Sequence, residues 1–545
     1  MGETEFNLLD EPWILTVDMD CQTAPLSLTD VFARAHELKA LAGELPTQDV
    51  ATLRLLLSIV YAVFTRVDEN GAPLEADYDA LELWRRLWER QSFPLDVVES
   101  YLRRYHDRFW LFHPERPFWQ VKFDKENLPV NKNGIKLKPT EVDAPKFIGD
   151  ISDGDKPNLF GGREQKYNIT FSEAARWLIH LNAFDVSPAG NPGKNPKTVK
   201  GFGHPWPADI GLVWISGNTL FETLMLNLVL LNNQDYWPEG NAWWETKLPC
   251  TNANDLERID TFVPQSIIEL MSMQYRYVTL RREGNFVVGY DLWSGVKFDN
   301  DYVFTEQMTP WAISKRNDMR YPRKNNPSRL MWRDFATFVP YKAHDDSPGV
   351  MRWIAELKMR EFTLPFLSLS IAGIVYKKDT AVYDVFSDSL VINSGLLSAL
   401  GEEWVERITN LLKTTEKLVD YLGYLAADIA DASGVGKGPD GKRKTDGKRN
   451  VVKEEGYFCL DVPFRTWLAA INPETDNIDD ACKQWLNIVR ITILRLGQEL
   501  VSEAGERAFV GREIKKNADS RGPLMTAPKA YIKFKNMVNK ILNAD

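Results

Sequence analysis

The clearest periodic pattern in the chain spans residues 404–429, which read WVERITNLLKTTEKLVDYLGYLAADI. Apolar side chains recur there every three or four residues, and Thr415 is the one polar residue in the apolar seam. This spacing predicts a long helix with a single apolar stripe, which has to pack against other helices. Two later stretches, 478–500 and 531–541, repeat the spacing and predict two more helices of the same kind.

A fourth, shorter helix is expected after Asp461, because proline is tolerated in the first turn of a helix and Pro463 would then lie in that turn. The connection before it, residues 433–450, is rich in glycine and lysine and predicts a mobile segment. Four helices with apolar faces pack most economically as a bundle. Residues 391–545 are therefore predicted to form a C-terminal four-helix bundle.

The remaining part of the chain, residues 1–390, mixes helical and strand-like patterns. Apolar residues at helical spacing predict a helix at about 48–66, and the alternation in residues 274–305 predicts antiparallel strands. The tetrapeptide Thr170-Phe-Ser-Glu173 is a capping box that opens another helix, which ends near Asn182. The predicted fold class is α+β, with a large mixed α/β N-terminal domain followed by the four-helix bundle.

Composition excludes several classes of protein. The formal net charge is −10, whereas domains that coat nucleic acid are usually basic, so any such contact has to come from local basic patches. The four cysteines are far apart and show no CxxC spacing, which argues against a zinc site or a disulfide framework. No signal peptide or membrane-spanning run is expected, and a cytoplasmic location is predicted.

No catalytic motif is visible in the sequence. The six histidines are scattered, and neither HExxH, GxSxG nor a Walker loop occurs. The chain is therefore predicted to be no enzyme and to hold no metal and no cofactor. An enzyme of unknown type stays open as an alternative, because the fold can assemble a catalytic triad from distant residues.

Three basic stretches suit a nucleic acid backbone and stacked bases, with a solvated surface as the alternative for each. They lie in residues 187–207, 315–333 and 437–449. The first is the most informative, because its glycines and prolines let a backbone approach a groove closely and it has no acidic residue. Its cations are Lys194, Lys197 and Lys200.

Four segments of the chain resemble segments of the CasA family, the large subunit of type I-E CRISPR Cascade complexes. They are Phe6-Asn-Leu-Leu-Asp-Glu-Pro-Trp-Ile14, His113-Pro-Glu-Arg-Pro-Phe-Trp-Gln120, Leu220-Phe-Glu-Thr-Leu-Met-Leu-Asn-Leu228 and Ala527-Pro-Lys-Ala-Tyr-Ile-Lys-Phe534. Their order and approximate spacing agree with the family over nearly the whole chain. The resemblance also implies a helical bundle at the C-terminus.

The resemblance implies a non-catalytic subunit at the foot of the complex. Such a subunit reads the PAM of double-stranded target DNA from the minor groove, wedges the duplex open and helps to recruit a helicase-nuclease, while guide pairing reads the target sequence. The implied partners are the other Cascade subunits, the guide CRISPR RNA, the target duplex and the helicase-nuclease. A scaffold subunit of a ribonucleoprotein without direct DNA reading is the alternative.

The family's PAM-reading loop maps onto residues 188–194, where the glycines would allow close backbone approach and Lys194 would contact phosphate or a base edge. A lysine that supports PAM reading in the family maps onto Lys297. The DNA-binding set implied by the resemblance and the basic stretch is Gly190, Asn191, Gly193, Lys194, Lys197, Lys200 and Lys297.

Two further segments carry implied contacts. The family's strand wedge, a hairpin tip with amide side chains, maps onto Lys378, Asp379 and Thr380, where a carboxylate repelled by phosphate could still hold strands apart by its volume. The family's guide-proximal loop maps onto residues 147–166. Its implied contacts are Asn158, Phe160 and Gly161, with Phe160 available for base stacking.

Overall fold

The computed structural model describes most of the chain outside several connecting segments. The described residues are 4–122, 139–149, 167–185, 204–232, 235–246, 264–295, 306–314, 316, 319–323, 326, 329–340, 346–360, 362, 364–377, 381–434, 445–513 and 523–542. They form an α+β fold with a helical C-terminal region, as the periodicities predict.

The chain divides into two compact units. The first unit comprises residues 1–329, 344–363 and 367–389. The second unit comprises residues 330–343, 364–366 and 390–545. The second unit therefore also includes two short segments that lie upstream of residue 390.

Helices and short strands alternate before residue 400. The helices there are α1 (Leu28–Arg34), α2 (Pro46–Phe64), α3 (Ala80–Glu89), α4 (Leu95–Arg104), α5 (Ala144–Phe147), α6 (Phe171–Phe184), α7 (Leu220–Leu226), α8 (Ile267–Ser272) and α9 (Gly349–Met359). The strands are β1 (Glu5–Asn7), β2 (Ile14–Asp18), β3 (Thr23–Leu26), β4 (Leu38–Leu41), β5 (Trp110–Phe112), β6 (Thr140–Asp143), β7 (Leu212–Ser216), β8 (Leu231–Asn232), β9 (Asp235–Tyr236), β10 (Arg276–Glu283), β11 (Phe286–Gly295), β12 (Trp311–Ile313), β13 (Arg320–Pro322), β14 (Phe366–Lys377) and β15 (Ala381–Asn393).

Helix α2 lies at the centre of the first unit. It starts with Pro46 at its first position, where the missing amide hydrogen costs nothing, and it packs against α6 and α8. By length and composition alone it could cross a membrane, but 94% of its apolar window is buried inside the fold. A helix that is apolar all round and covered on every side is a core helix.

Two antiparallel sheets of three strands carry the connections that matter below. One has the order β10–β11–β6, which confirms the predicted strands, and Arg276 of β10 is the register partner of Gly295 of β11. The other has the order β15–β14–β7, and Ala372 of β14 lies opposite Leu212 of β7. The chain that enters β7 therefore runs alongside the end of β14.

The second unit contains the predicted bundle. Its long helices are α10 (Gly401–Ser433), α11 (Thr445–Ala470), α12 (Ile478–Ser502) and α14 (Ala527–Leu542), with the short α13 (Glu506–Val510) and the strands β16 (Arg512–Glu513) and β17 (Leu524–Met525) between α12 and α14. Helix α10 packs against the other three long helices.

The one polar residue of the α10 seam has two hydrogen bonds. The Thr415 hydroxyl donates to the Leu411 carbonyl (2.8 Å) and accepts from the Trp485 indole nitrogen (3.1 Å). Both side chains are fully buried. The seam therefore tolerates a hydroxyl because it also supplies the partner that a buried indole N–H requires.

The predicted start of the fourth helix was wrong. Helix α11 begins at Thr445, so Pro463 lies inside it rather than in its first turn. Leu460 and Phe464, on either side of the proline, are both fully buried. Burial of apolar side chains in both halves of the helix outweighs the one backbone hydrogen bond that a proline removes. Of the connection 433–450 that was predicted to be mobile, residues 445–450 instead form the first turns of α11, and residues 435–444 lie outside the described residues.

Candidate nucleic-acid interface

The predicted site residues all lie outside the described residues. The lysine-bearing loop (Gly190, Asn191, Gly193, Lys194, Lys197, Lys200) falls in 186–203, Lys297 in 296–305, the wedge (Lys378, Asp379, Thr380) in 378–380, and the guide-proximal set (Asn158, Phe160, Gly161) in 150–166. The structure describes the chain on both sides of each segment. It is these flanking residues that come together.

Helix α6 leads into the lysine-bearing segment 186–203. The Thr170 hydroxyl accepts a hydrogen bond from the Glu173 amide (3.2 Å), which confirms the predicted N-cap. The helix runs to Phe184, and Asp185 is already in extended conformation. The segment therefore starts directly after a helix whose last two turns are almost entirely buried.

A buried ion pair holds the beginning of this segment. Asp185 lies 2.8 Å from the guanidinium of Arg276, whose side chain is 0% exposed. The Arg276 amide donates to the side-chain oxygen of Asn182 (3.0 Å). Because Arg276 is also the register partner of Gly295, the residues that precede 186–203 and 296–305 both neighbour Arg276.

The far ends of the same two segments also meet. The indole nitrogen of Trp206 donates to Glu306 (2.9 Å), and both residues are buried. Glu306 also accepts from the Arg54 guanidinium (3.0 Å) and from the Met308 amide (2.9 Å). Burial alone would lower the pKa of Arg54, but the charge and the hydrogen bond of Glu306, with smaller contributions from Tyr275 and Tyr61, together outweigh burial and raise the pKa. The segments 186–203 and 296–305 thus share both of their anchors.

The strand that leads into the hairpin tip contacts both ends of 186–203. The hydroxyl of Tyr376, near the end of β14, donates to the Phe184 carbonyl (2.7 Å). The Tyr376 ring also lies against the His204 ring, with 4.0 Å between ring centroids. The tip at 378–380 and the lysine-bearing segment therefore start from touching residues.

The residues that precede the guide-proximal segment lie against helix α6. Helix α5 packs on β11, with the Phe147 ring 5.2 Å from that of Tyr290. A methyl group placed on Gly149 would come within 2.9 Å of His180 and Trp177, so this glycine lies tightly against α6. The residue that precedes 150–166 therefore lies against the flank of α6.

The residues that flank these four segments form one cluster, the base of the segments. Its parts are buried side chains of α2, α6 and β10 and the half-buried Tyr376 of β14, all with long-range partners, which suits a scaffold that positions binding residues on loops. Within the described part of the chain, no cluster of three His, Cys, Asp or Glu side chains could hold a metal ion. The absence of an enzyme activity stays a prediction.

The histidines of the described residues occupy separate positions. His180 is buried and bonds to the Thr47 hydroxyl (3.0 Å), while His106 lies 2.7 Å from Asp10 at the surface. His113 accepts from the backbone amides of Glu115 (3.0 Å) and Arg116 (2.8 Å). These partners indicate structural roles.

The residues that carry the family resemblance hold the fold together. Asn7 accepts from the Leu9 amide (3.0 Å), and the Trp13 indole donates to the Leu8 carbonyl (2.9 Å). The Gln120 side chain is buried and bridges the Leu111 carbonyl (2.7 Å) and the Leu280 amide (2.9 Å). A family signature of this kind reports the architecture rather than the binding surface.

Sequence reasoning missed the anchors of the base, namely Arg54, Asp185, Arg276, Glu306 and Tyr376. Arg54 did carry a signal, because it is the only charged residue in the apolar run 50–64, and a charge in a buried helix requires a partner. The other anchors show no local pattern. Their partners are distant in sequence, so only the fold reveals them.

Comparisons with known proteins agree on one family. Residues 7–496 match the family described as CRISPR-associated protein Cse1. The CRISPR-associated protein CasA/Cse1 of Thermus thermophilus is 28% identical over 495 residues, which cover 87% of this chain and 89% of that protein. The crystal structure of Thermobifida fusca Cse1 is 27% identical and superposes with a TM-score of 0.78, over 99% of this chain and 98% of that one. A chain solved as part of a CRISPR RNA-guided surveillance complex shares the fold, with a TM-score of 0.67 at 18% identity, over 98% of this chain and 100% of the other.

Proposed function

The chain belongs to the Cse1 family of CRISPR-associated proteins, and on this premise we propose that it is the large subunit of a type I-E CRISPR surveillance complex that recognises the PAM of double-stranded target DNA. The observation that carries the proposal is the common base of the segments 150–166, 186–203, 296–305 and 378–380. Segments whose flanking residues contact one another are suited to act on one ligand together.

The lysine-bearing segment is assigned the PAM contact. Lys194, Lys197 and Lys200 would bind phosphates, and the backbone at Gly190 and Gly193 would approach the minor groove closely. Lys297 is assigned to the same contact, which its shared anchors with 186–203 support. The minor groove presents a degenerate pattern of donors and acceptors, so coarse PAM discrimination is expected.

The hairpin tip and the guide-proximal segment complete the assignment. Lys378, Asp379 and Thr380 would separate the strands beside the PAM by their volume. Asn158, Phe160 and Gly161 would contact the guide RNA, with Phe160 stacking on a base. The partners are then the other subunits of the complex, the guide RNA, the target duplex and a recruited helicase-nuclease, in the cytoplasm.

A scaffold without direct DNA reading is the second candidate. The net charge of −10 favours it, because an acidic protein repels DNA except where local cations face the duplex. Under the first proposal the same charge limits binding to duplexes that lack a PAM. The two candidates therefore differ in whether this chain confers PAM dependence on the complex.

An electrophoretic binding assay separates them. The complex is reconstituted with and without this chain and is offered a duplex library that is randomised beside the guide-matched segment. PAM-dependent binding that requires this chain is the expected result, and sequencing of the bound fraction reports the PAM. Equal binding without the chain would leave it as a scaffold or recruiter and would refute the assignments of the loop and the wedge.

A further inference from the structure

A groove opens in the first unit between the last turn of α2, the chain that follows this helix, and one face of α4. Its volume is about 380 Å³, which lies in the range of small-molecule sites in proteins. All of its lining residues lie within 62–104, a part of the chain that the structure describes completely. None of them belongs to the segments assigned to nucleic acid.

The floor of the groove is apolar. Ala62, Val63 and Val97 line it, and all three are buried. The chain after α2 closes the groove on one side, because a methyl group placed on Gly71 would lie 3.5 Å from a methyl carbon of Val97. A ligand in the groove would therefore bury apolar groups against this floor.

One end of the groove carries two guanidinium groups, Arg66 and Arg104. Arg66 is fixed, because its two terminal nitrogens donate to the two oxygens of Glu245 (2.7 and 2.8 Å). The same carboxylate accepts from the hydroxyl of Tyr101 (2.6 Å), which places Arg66 beside the helical turn that leads to Arg104. Arg104 is exposed and has no ion pair within the described residues, so its charge is available to an anion.

The other end carries a carboxylate. Asp96 lies in the first turn of α4, and it is exposed and without an ion pair among the described residues. It precedes Arg104 by eight residues, which separates the two positions by about 12 Å along the helix. The groove thus offers one negative and one positive charge at opposite ends of an apolar floor.

We propose that this groove binds a short peptide with free termini, whose carboxylate lies at Arg104 and whose ammonium group lies at Asp96. An extended tripeptide spans about 10 Å, which is close to the separation of the two charges. Its apolar side chains would pack on Val63 and Val97. A polyanion does not suit the site, because Asp96 would repel it. The inference goes beyond the proposed function and does not depend on it.

Isothermal titration calorimetry of the full-length chain with the tripeptide Ala-Leu-Ala tests the proposal. Saturable binding with a Kd of about 0.1 mM is expected for a ligand of this size. Acetylation of the amino terminus and amidation of the carboxyl terminus each remove one charge from the peptide. Each change should weaken binding by about tenfold, because each abolishes one charge-assisted contact.

Substitutions in the protein test the same contacts from the other side. Arg104→Gln and Asp96→Asn should each weaken binding of the unmodified peptide by about tenfold, and both positions are exposed, so the variants are expected to fold. Arg103→Gln is the matched control, since this neighbouring arginine is exposed, pairs with Glu99 and does not line the groove. It should leave the affinity unchanged. Ser100→Phe, at an exposed lining position, should fill the groove and abolish binding.

A double-mutant cycle assigns the ends of the peptide. The amidated peptide should bind the native chain and Arg104→Gln equally to within about twofold, because the partner of Arg104 is already gone. No binding at millimolar peptide would overturn the inference, as would equal binding of the free, acetylated and amidated peptides, or an equal loss with Arg103→Gln. If only amidation weakens binding, the groove accepts the carboxyl end of a longer chain, and the assignment of a short peptide with two free termini is wrong.

Discussion

The bundle of the second unit and the loop base of the first unit bury their polar groups in different ways. In the bundle, the Thr415 hydroxyl sits inside a regular apolar seam and pairs with one indole nitrogen. In the base, charged groups are buried in pairs, as in Arg54–Glu306 and Arg276–Asp185. The threonine interrupts the apolar repeat of one helix at a single position. The ion pairs, in contrast, form only because parts of the chain that are distant in sequence meet.

This difference has an energetic consequence. A neutral hydrogen bond contributes about 0.5–1.5 kcal/mol net, so the bundle depends mainly on apolar packing. A buried ion pair contributes little net stability, yet removing one partner leaves a charge in a poorly solvated site at a cost of about 3–5 kcal/mol. The base of the loops is therefore expected to be far more sensitive to a single substitution than the bundle.

The largest effect is expected from Glu306→Gln. The amide keeps a single acceptor oxygen, so Trp206 and Met308, which donate to different oxygens of Glu306, cannot both retain their partner, and the Arg54 guanidinium is left buried without a counter-charge. The free energy of unfolding, measured by urea denaturation, should fall by about 3–5 kcal/mol. Glu82→Gln, which breaks an exposed ion pair with Arg85, should cost below about 1 kcal/mol. Similar losses for both variants would show that the buried pair Arg54–Glu306 is no more sensitive to substitution than an exposed ion pair.

The next largest effect concerns the affinity for target DNA and its dependence on salt. Replacing Lys194, Lys197 and Lys200 together with alanine should weaken binding of the target duplex and reduce the slope of log affinity against log salt concentration by about 2.7, since each lost phosphate contact lowers it by about 0.9.

The control for this triple variant carries the same change of charge in the bundle. Lys529, Lys533 and Lys540 of α14 are replaced with alanine, and the salt slope is measured under the same conditions. An equal reduction by both triple variants would show that net charge, and not the predicted loop, governs binding.

A smaller effect is expected inside the bundle. Thr415→Val keeps the shape of the side chain but leaves the buried indole N–H of Trp485 without its acceptor, at a cost of about 1–3 kcal/mol in unfolding free energy. Thr409→Val on the same helix removes a hydroxyl that donates to the Val405 carbonyl (2.6 Å), and it should cost less. Equal losses would mean that the indole contact contributes nothing.

The smallest effect is expected from the loss of a helix cap in the first unit, the N-cap of α6. Thr170→Ala removes the N-cap of α6 and should lower the free energy of unfolding, measured by thermal denaturation, by about 1 kcal/mol. Thr170→Ser should retain the cap. If the serine and alanine variants melt alike, the Thr170 hydroxyl does not cap the helix in solution.

The sequence predicts the two regions unequally. The seams of α10, α12 and α14 and the cap of α6 follow from residue spacing, because each depends on neighbours within a few turns. The start of α11 was missed because Pro463 is a local signal that burial on both sides overrides. For the loop base, residue patterns identified which segments carry lysines and glycines, but none of the anchors that join them.

Residue order alone was sufficient for the α+β class, the helical bundle and the family, while the segments assigned to nucleic acid stay a prediction. It could not reveal that Arg54 pairs with Glu306 across 252 positions, or that Tyr376 reaches Phe184 across 192. Periodicity records only which face of an element is buried, and it contains no information about the partner. Partners of buried charges and hydroxyls are selected when the whole chain closes, because only then do desolvated groups find the donors and acceptors that compensate them.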